Sequence, residues 1–451
     1  MLALFAARQT AHAFDLSYWA WQRSNPLKPA ELSELASQNV RTIYWHVGEL
    51  ENAGETWRWK SRYGFPKETP PSLHFVPVVR LVSRETKPFS PASTAALVAA
   101  LKPIATLNGD LQLDFDAPDR LLDDYAGALR KIHEVTSRLS ITALPHWSSA
   151  RCLHTLNQSA DELFPMLYDY EAEPILPNDQ APQPLIVPAH ITEMLHTWSA
   201  CPIPWQAGLP CFARLTLYDR DGKSRGQIRN WNWDEIVLNH ALAPNATAAG
   251  LGVFLLKAER SGTAIANSRM EYGDQLVVRM TDRAALREAI EVAKGTSARG
   301  VVLFRLPDSA ASSGWTLHQL GHLKAGPNLA LETSADGQSL ALKNRGDGDL
   351  PPFWTAAPGM SSGYFLQLQL PSPVAREAEP GDFQAIVTEA QTAQGMRPVA
   401  TPLATQLSFS FSALRAGEQI ATGLIQLAPG ASLRQARWRV SNADETWKPI
   451  E

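Results

Sequence analysis

The chain has 451 residues, of which 45% are hydrophobic and 19% charged, and its formal net charge at pH 7 is −4. This composition is typical of a globular protein with two or three domains. The small acidic excess, without a basic block, argues against a nucleic-acid partner. No apolar run reaches the roughly 18 residues that a transmembrane helix needs.

The first thirteen residues leave the location of the protein open. A short apolar stretch ends in AHA at 11–13, which resembles a signal-processing site, but it lacks a basic start and is shorter than most signal cores. If residues 1–13 are a signal remnant, we expect a periplasmic or secreted protein, and otherwise a cytoplasmic one. Export would allow a disulfide between Cys201 and Cys211, whereas the odd total of three cysteines fits free thiols equally well.

Strand-like apolar runs alternate with amphipathic helical stretches from residue 14 to about residue 325. The predicted strands are 14–21, 40–47, 73–82, 111–117, 139–147, 163–171, 211–218 and 301–307. Eight strands that alternate with helices predict a closed parallel (β/α)8 TIM barrel over 14–325. The alternative is an open doubly wound sheet, and the lack of a glycine-rich dinucleotide turn after the first strand weakens it.

Two parts of the chain fall outside this alternation. Residues 219–281 are too long for one helix and predict a small α+β insertion after the seventh strand, at the face where functional loops gather. After about residue 325 the hydrophobic period changes to two, with Gly, Pro, Asn and Ser between the apolar runs. Residues 326–451 therefore predict a C-terminal all-β sandwich domain.

The fourth predicted strand combines an apolar face with a row of polar side chains, in the sequence LQLDFDAPDR at 111–120. Side chains alternate along a strand, so Asp114 and Asp116 share one face with Gln112. An unpaired buried charge is costly, and such a row is normally paired, hydrated or functional. We expect Gln112 to be deepest, Asp114 in the middle and Asp116 at the barrel mouth. The structural alternative is that Asp114 only forms an ion pair with Arg80.

The C-terminal ends of barrel strands carry the active site, so the residues there are the candidates. Aromatic faces stack on sugar rings, and carboxylates bond hydroxyls or transfer protons. The candidate catalytic residues are Asp114, Asp116, Tyr168 and Asp169. The candidate substrate-binding residues are Trp19, Trp21, Trp45, His46, Arg80, His146, Trp147, Arg214 and Arg305. Several of the aromatic residues would serve equally well in the core.

The expected partner is a poly- or oligosaccharide, and no cofactor is expected. His46 and His146 have no companion at metal-ligand spacing, so no metal site is predicted either.

Four segments resemble the chitinase-like glycoside hydrolases, which are (β/α)8 barrels. LQLDFDA is similar to their D-x-x-D-x-D-x-E, FPMLYDYE to M-x-Y-D, AGLPCFARLTLYD to G-x-P-x-Y-G-R, and RGVVLFRLPD to G-V-M-x-W. The matched residues include Asp114, Asp116, Met166, Tyr168, Asp169, Gly208, Pro210, Phe212 and Arg214. The resemblance spans roughly residues 14–325 and implies a carbohydrate-active barrel with an α+β insertion after strand seven.

The chain differs from this family at residues on which the family's mechanism depends. The first acid falls on Leu111, the catalytic glutamate on Pro118 and the eighth-strand tryptophan on Phe304. In the family, that glutamate protonates the leaving oxygen while the substrate's N-acetyl group attacks, so the mechanism does not carry over. The whole chain, which opens its barrel with FDLSYWAWQR, also resembles an uncharacterised bacterial family.

Two function classes follow. In the first, a glycoside hydrolase, Asp116 donates the proton, its pKa raised by Asp114 beneath it, and Asp169 is the second carboxylate. Two strands separate these acids by roughly 9 Å, within the inverting range of about 6.5–9.5 Å. In the second, the protein is a non-catalytic glycan-binding or scaffold protein on a degenerate barrel. A second carboxylate within reach of Asp116 in an open cleft would favour the hydrolase.

Overall fold

The structure is a computed structural model, and the residues it describes are 14–23, 25–67, 70–168, 176, 182–237, 239–244, 252–308, 314–334, 338–350, 364–370, 373, 377–411, 413–426, 435–440 and 448–450. The predicted signal remnant and the predicted acid Asp169 lie outside the described residues. The chain divides into two compact units. The first comprises Met1–Glu173, Gln183–Ala213 and Arg279–Gly321, and the second Pro174–Pro182, Arg214–Val278 and His322–Glu451.

The strands of the described residues, in chain order, are β1 (Asp15–Ala20), β2 (Thr42–Ala53), β3 (Thr56–Arg62), β4 (His74–Val82), β5 (Asp110–Asp114), β6 (Arg138–Ala143), β7 (Glu162–Pro165), β8 (Gln206–Pro210), β9 (Ala213–Tyr218), β10 (Ser224–Ile228), β11 (Leu242–Pro244), β12 (Val253–Ala258), β13 (Thr263–Ile265), β14 (Ser268–Met270), β15 (Gln275–Met280), β16 (Gly300–Phe304), β17 (Leu329–Thr333), β18 (Leu340–Asn344), β19 (Tyr364–Gln369), β20 (Ala385–Thr392), β21 (Gly395–Pro398), β22 (Gln406–Phe411), β23 (Gln419–Ala421), β24 (Gln435–Val440) and β25 (Lys448–Pro449).

The helices of the described residues are α1 (Pro29–Ser37), α2 (Pro91–Ala105), α3 (Leu122–His133), α4 (Ala150–Leu156), α5 (Pro188–Trp198), α6 (Asp234–Val237), α7 (Arg283–Lys294) and α8 (Leu317–Gly321), with short 3-10 helices at Asp119–Leu121, Pro145–Ser148 and Thr401–Leu403. None of them is long and apolar enough to cross a membrane. The α7 helix begins after an N-cap residue, Asp282, whose side chain accepts a hydrogen bond from the backbone N–H of Ala285.

Eight parallel strands of the first unit form the predicted TIM barrel. Their order is β7-β6-β5-β4-β2-β1-β16-β8. Parallel bridges from Leu163 to Trp205 and from Met166 to Gly208 join the two ends of this path, so the barrel is nearly closed. The barrel interior is filled by Trp19, Tyr44, Val76, Val78, Phe164, Tyr168 and Val302. The β3 strand is an antiparallel addition that extends β2 into a hairpin.

The seventh barrel strand is not the one that the sequence predicts. The barrel uses β8, the sequence QAGLP, whereas most of the predicted strand 211–218 is β9 in an antiparallel sheet. The run 211–218 is richer in β-forming residues than QAGLP, whose Gly, Ala and Pro are poor strand formers. Gly208 is needed there for close packing. A Cβ at this position would lie 2.9 Å from the Pro165 carbonyl oxygen and 3.0 Å from the Trp19 ring.

We therefore expect Gly208→Ala to destabilise the barrel by about 1–3 kcal/mol, because the added methyl group must push backbone or a buried indole. Denaturant unfolding measures this change. Gly127→Ala on α3 is the control, since its Cβ would meet nothing closer than the flexible end of Arg130 at 3.9 Å. We expect that variant to gain stability, as alanine in a helix usually does. Equal effects at the two glycines would contradict the packing argument.

The second unit consists of antiparallel sheets. Between the seventh and eighth barrel strands, the chain forms a five-stranded sheet in the order β10-β9-β15-β12-β11 and the β13–β14 hairpin. This sheet includes β9, so the inserted segment begins before residue 219, where the sequence predicts its start. The C-terminal part has a three-stranded sheet, β17-β18-β23, and a six-stranded sheet, β21-β20-β22-β19-β24-β25. Their buried residues form one apolar core around Leu342, Leu366 and Phe409. The sandwich arrangement and the domain boundary near residue 325 stay predictions.

The three cysteines are free thiols, so the disulfide that the sequence allowed between Cys201 and Cys211 is not formed. The Cys201 thiol donates to the carbonyl of Ile203 at 3.3 Å, and the buried Cys211 thiol donates to the carbonyl of Arg305 at 3.1 Å.

Candidate functional site

A row of charged side chains crosses three neighbouring strands at the C-terminal end of the barrel. In the strand register, Glu49 of β2 is the partner of Arg80 of β4, and Arg80 is the partner of Asp114 of β5. Register partners in a parallel sheet point to the same face and lie about 4.8 Å apart. The three residues therefore stand side by side on the inner face. We call Glu49, Arg80, Asp114 and the neighbouring Asp116 the charged row.

A β-bulge places Glu49 in this row. Tyr44 and His46 alternate inward along β2, and the register with β4 then shifts by one residue between His46 and Gly48. Without that extra residue, Gly48 would point inward and Glu49 outward. Glycine suits the bulge, because a Cβ at position 48 would lie 2.3 Å from the backbone oxygen of Ser61 in β3.

One arginine binds all three carboxylates of the charged row. The Arg80 guanidinium lies 3.7 Å from Glu49, 3.6 Å from Asp114 and 3.9 Å from Asp116. Glu49 also pairs with Lys60 at 3.3 Å, and Asp114 accepts a hydrogen bond from the Thr142 hydroxyl at 2.8 Å. The side chain of Asp116 is 54% exposed, whereas that of Asp114 is 9% exposed.

Burial makes both aspartates weaker acids in this setting than in water, and the charge of Asp116 adds to this effect at Asp114. The pKa of Asp114 is raised from 3.8 to about 6, first by burial and then by the charge of Asp116, against the Thr142 hydrogen bond and Arg80. Burial also raises the pKa of Asp116, and the Arg80 guanidinium opposes that rise. The larger rise in pKa is therefore that of the inner carboxyl group, Asp114. For Asp116 the main cause of the rise is burial, and not the charge of Asp114 that the sequence predicts.

The imidazole of His46 lies beneath Trp21 and beside the charged row. The two rings stack at 4.0 Å with an interplanar angle of 10°. His46 is fully buried, and neither ring nitrogen makes a hydrogen bond to a described residue. Burial lowers the pKa of His46 to about 4, and the charge of Arg80 acts in the same direction. The charge of Glu49 and the nearby Gly48 backbone oppose this shift. His46 is therefore neutral near pH 7.

Aromatic rings occupy the other side of the same barrel end. Phe304, at the end of β16, stacks on Tyr168 at 5.3 Å and meets Trp21 and Phe212 edge-on at 5.7 and 5.8 Å. Trp21, Phe212 and Phe304 are partly exposed. Burial, Asp114, Cys211 and Asp116 raise the pKa of Tyr168 well above its ordinary value, so its hydroxyl stays protonated. Carboxylates beside such rings suit a sugar, whose hydroxyls and apolar ring face need both.

Three of the predicted substrate-binding tryptophans are core residues instead. Trp19 is buried at the barrel centre, and its indole N–H donates to Gln112 at 2.6 Å. Trp45 points outward, where it packs on Phe75 and donates to the carbonyl of Gly64. Trp147 is completely buried in a 3-10 helix. The expectation that these three rings bind sugar is wrong, because each is closed off from solvent.

The remaining predicted residues divide between the barrel mouth and other places. His146 is at the surface and pairs with Asp119 at 2.9 Å. Arg305 is exposed directly after β16. Arg214 is in β9 of the second unit, so it does not stand on a barrel strand as predicted. Asp169 falls outside the described residues and stays a predicted site residue.

Sequence reasoning missed two features of the site. Glu49 is not among the predicted site residues, although Gly48 within a strand-like run is a signal for a bulge that turns the next residue inward. Phe304 was read as the loss of the family's tryptophan, yet it is the ring that contacts Trp21, Tyr168 and Phe212.

A polar cavity of about 200 Å³ lies at the opposite, N-terminal end of the barrel. Its buried Glu162 is bonded by Arg138 at 2.6 Å and by Gln206 at 3.2 Å. Polar groups that satisfy one another at this end of a TIM barrel indicate stability rather than catalysis.

No protein-family model and no curated protein matches this chain. Similar solved structures include the spore cortex-lytic enzyme SleL of Bacillus cereus, with 16% identity and a TM-score of 0.44 over 69% of this chain and 73% of that chain. Chitinase ChiW of Paenibacillus sp. str. FPU-7 has 10% identity and a TM-score of 0.46, and the match covers 96% of this chain and 55% of that chain. Human YKL-39, a pseudo-chitinase with retained chitooligosaccharide binding, has 10% identity and a TM-score of 0.40, and the match covers 65% of this chain and 93% of that chain.

At such identities and TM-scores these structures assign no activity to the chain and no role to any of its residues.

Proposed function

We propose that this protein is a glycoside hydrolase whose site is the charged row and the aromatic rings beside it. The observation that carries the proposal is the pair Asp114 and Asp116. Both carboxyl groups have a raised pKa, and both share the single guanidinium of Arg80. A carboxyl group with a raised pKa is the type of group that donates a proton in glycosidic bond cleavage.

In the proposed reaction, Asp116 protonates the glycosidic oxygen as the bond from that oxygen to the anomeric carbon breaks. A water molecule adds to the anomeric carbon, and its proton passes to a second carboxylate. Asp116 suits the donor role because its half-exposed side chain can reach a substrate, whereas Asp114 is buried beneath it. Arg80 and Thr142 hold Asp114 in place.

Two residues fit the role of the second carboxylate. Asp169 follows β7, which is two strands from β5 in the barrel order, and that spacing of roughly 9 Å agrees with an inverting mechanism. Glu49 is the described alternative, since it binds the same Arg80 as Asp116.

The second candidate function is non-catalytic glycan binding. The observation that favours it is Pro118, which stands where the resembled family has its catalytic glutamate. The aromatic rings and the charged row would then bind sugar without cleaving it. Periplasmic or secreted location stays a proposal in either case.

A polysaccharide-library screen that measures both binding and the release of reducing ends tests the two functions together. Release of reducing ends by the full chain supports the hydrolase. Binding without release, after prolonged incubation at pH 5 to 7, supports the glycan-binding protein. A blank result in both readouts overturns the carbohydrate proposal.

A further inference from the structure

The charged row and Lys60 together carry one negative charge in excess when the three carboxyl groups are ionised. Glu49, Asp114 and Asp116 supply three carboxylates, and among the described residues only Arg80 and Lys60 lie within ion-pair distance of them. Lys60 contacts Glu49 alone. The two aspartates therefore share one guanidinium, at distances of 3.6 and 3.9 Å, which are longer than those of a tight ion pair.

A second and independent feature of the same place indicates a ligand. His46 is completely buried, stacks under the partly exposed Trp21, and makes no hydrogen bond to a described residue. A buried polar group without a partner costs free energy, so the unbonded imidazole is a feature that the free protein alone does not explain. Because His46 is neutral, it does not offset the excess negative charge beside it.

We propose that the sugar bound at this site carries a free ammonium group, as an unacetylated hexosamine does. This inference rests on the proposed carbohydrate function. The ammonium group binds between Asp114 and Asp116 and balances the excess charge, while the sugar ring lies on the exposed face of Trp21. Its substrate class is thus a polymer or oligomer of amino sugars that have lost, or never had, their N-acetyl groups.

The chemistry of the charged row separates this class from other sugars. Neutral sugar hydroxyls can donate to the carboxylates but leave the net charge unbalanced. An N-acetyl group is also neutral, and it would bring an apolar methyl group against the two aspartates. Uronic acids and sulfated sugars would add a like charge and be repelled. Only a positively charged substituent both donates hydrogen bonds to the two carboxylates and balances their charge.

Calorimetric titration of the full chain with three tetramers of the same β-1,4 linkage tests this preference. The ligands are the tetramers of glucosamine, N-acetylglucosamine and glucose, at pH 6.5 and low salt. We expect the glucosamine tetramer to bind at least about tenfold more tightly than either neutral tetramer, as one added charged hydrogen bond would give. Raising NaCl from about 0.05 M to about 0.5 M should shrink that preference, because salt screens partly exposed charges.

Asp116→Asn removes the excess charge at a half-exposed position and should fold normally. We expect it to lose most of the preference for the glucosamine tetramer while its affinity for the glucose tetramer changes little. Asp123→Asn, an equal charge change on the exposed start of α3, should keep the preference.

Equal or tighter binding of a neutral tetramer would overturn the amino-sugar inference and leave the proposed carbohydrate function standing. Binding of none of the three would also overturn it, and a blank library screen in addition would remove the proposed function itself. An unchanged preference in Asp116→Asn would mean that the charged row is not its source.

Discussion

Asp116→Asn should reduce the rate of glycoside hydrolysis by about 10²–10⁴-fold, the usual contribution of a general acid. The amide has nearly the shape of the carboxyl group but cannot supply an acidic proton to the leaving oxygen. The melting temperature should hardly change, because the side chain is 54% exposed and its one ion pair, with Arg80, is long at 3.9 Å. Reducing-end release from the best substrate of the library screen measures the rate, and calorimetry the melting temperature.

The control for this variant is Asp123→Asn, which removes a carboxylate from the surface of α3 and should keep the wild-type rate. Restoration of activity in Asp116→Asn by a substrate with an activated leaving group, which needs no protonation, would identify the missing step as proton donation. Unchanged hydrolysis of the natural substrate by Asp116→Asn would remove Asp116 from the acid role. Loss of folding would instead favour a structural role for the residue.

The sequence was sufficient to predict the barrel and the inner face of its fourth strand. Both predictions rest on periodicity, which is local information. Strand and helix runs alternate along the chain, and Asp114 follows Gln112 by two residues, so both lie on the inner face. The structural alternative to a functional Asp114 is an ion pair between Asp114 and Arg80. It is present in the structure, and it is also what joins Asp114 to Asp116 and Glu49.

The residues that sequence reasoning misplaced depend on contacts between distant parts of the chain. The seventh strand is the poor strand former QAGLP, because only a small residue at position 208 fits against Trp19 and the Pro165 backbone. Trp45 and Trp147 were expected to bind sugar, but packing against elements remote in sequence closes them off from solvent. Glu49 reaches the barrel mouth through a bulge, whose position is set by how β2 pairs with β4 and β3.

The arrangement of the site follows from one arginine serving several acids. A single guanidinium keeps the three carboxylates together at the strand ends, yet it cannot neutralise them all. The remaining charge is met either by a proton on the aspartate pair or by a positively charged ligand. The proposed proton donor and the proposed amino-sugar preference are thus two consequences of the same excess of negative charge. The stability of the free protein should also depend on this excess.

Asp114→Asn should make the protein more stable than the wild type near pH 7, by up to about 3 kcal/mol, and equally stable near pH 4. The pKa of Asp114 is about 6 in the folded protein and 3.8 ordinarily. Between these values the folded state binds more protons than the unfolded state, so the stability contributed by this group falls as pH rises through that window. Asparagine does not ionise, and its side-chain oxygen still accepts the Thr142 hydrogen bond.

Denaturant unfolding of both proteins from pH 4 to pH 7.5 measures this as a difference between variant and wild type. Other titrating groups are common to the two, including His46, whose lowered pKa acts with the opposite sign, so they largely cancel in that difference. A difference that stayed constant for Asp114→Asn, or that favoured the wild type more strongly as pH rose, would mean that Arg80 fully compensates Asp114. The charged row would then have no excess negative charge with which to bind either a proton or an ammonium group.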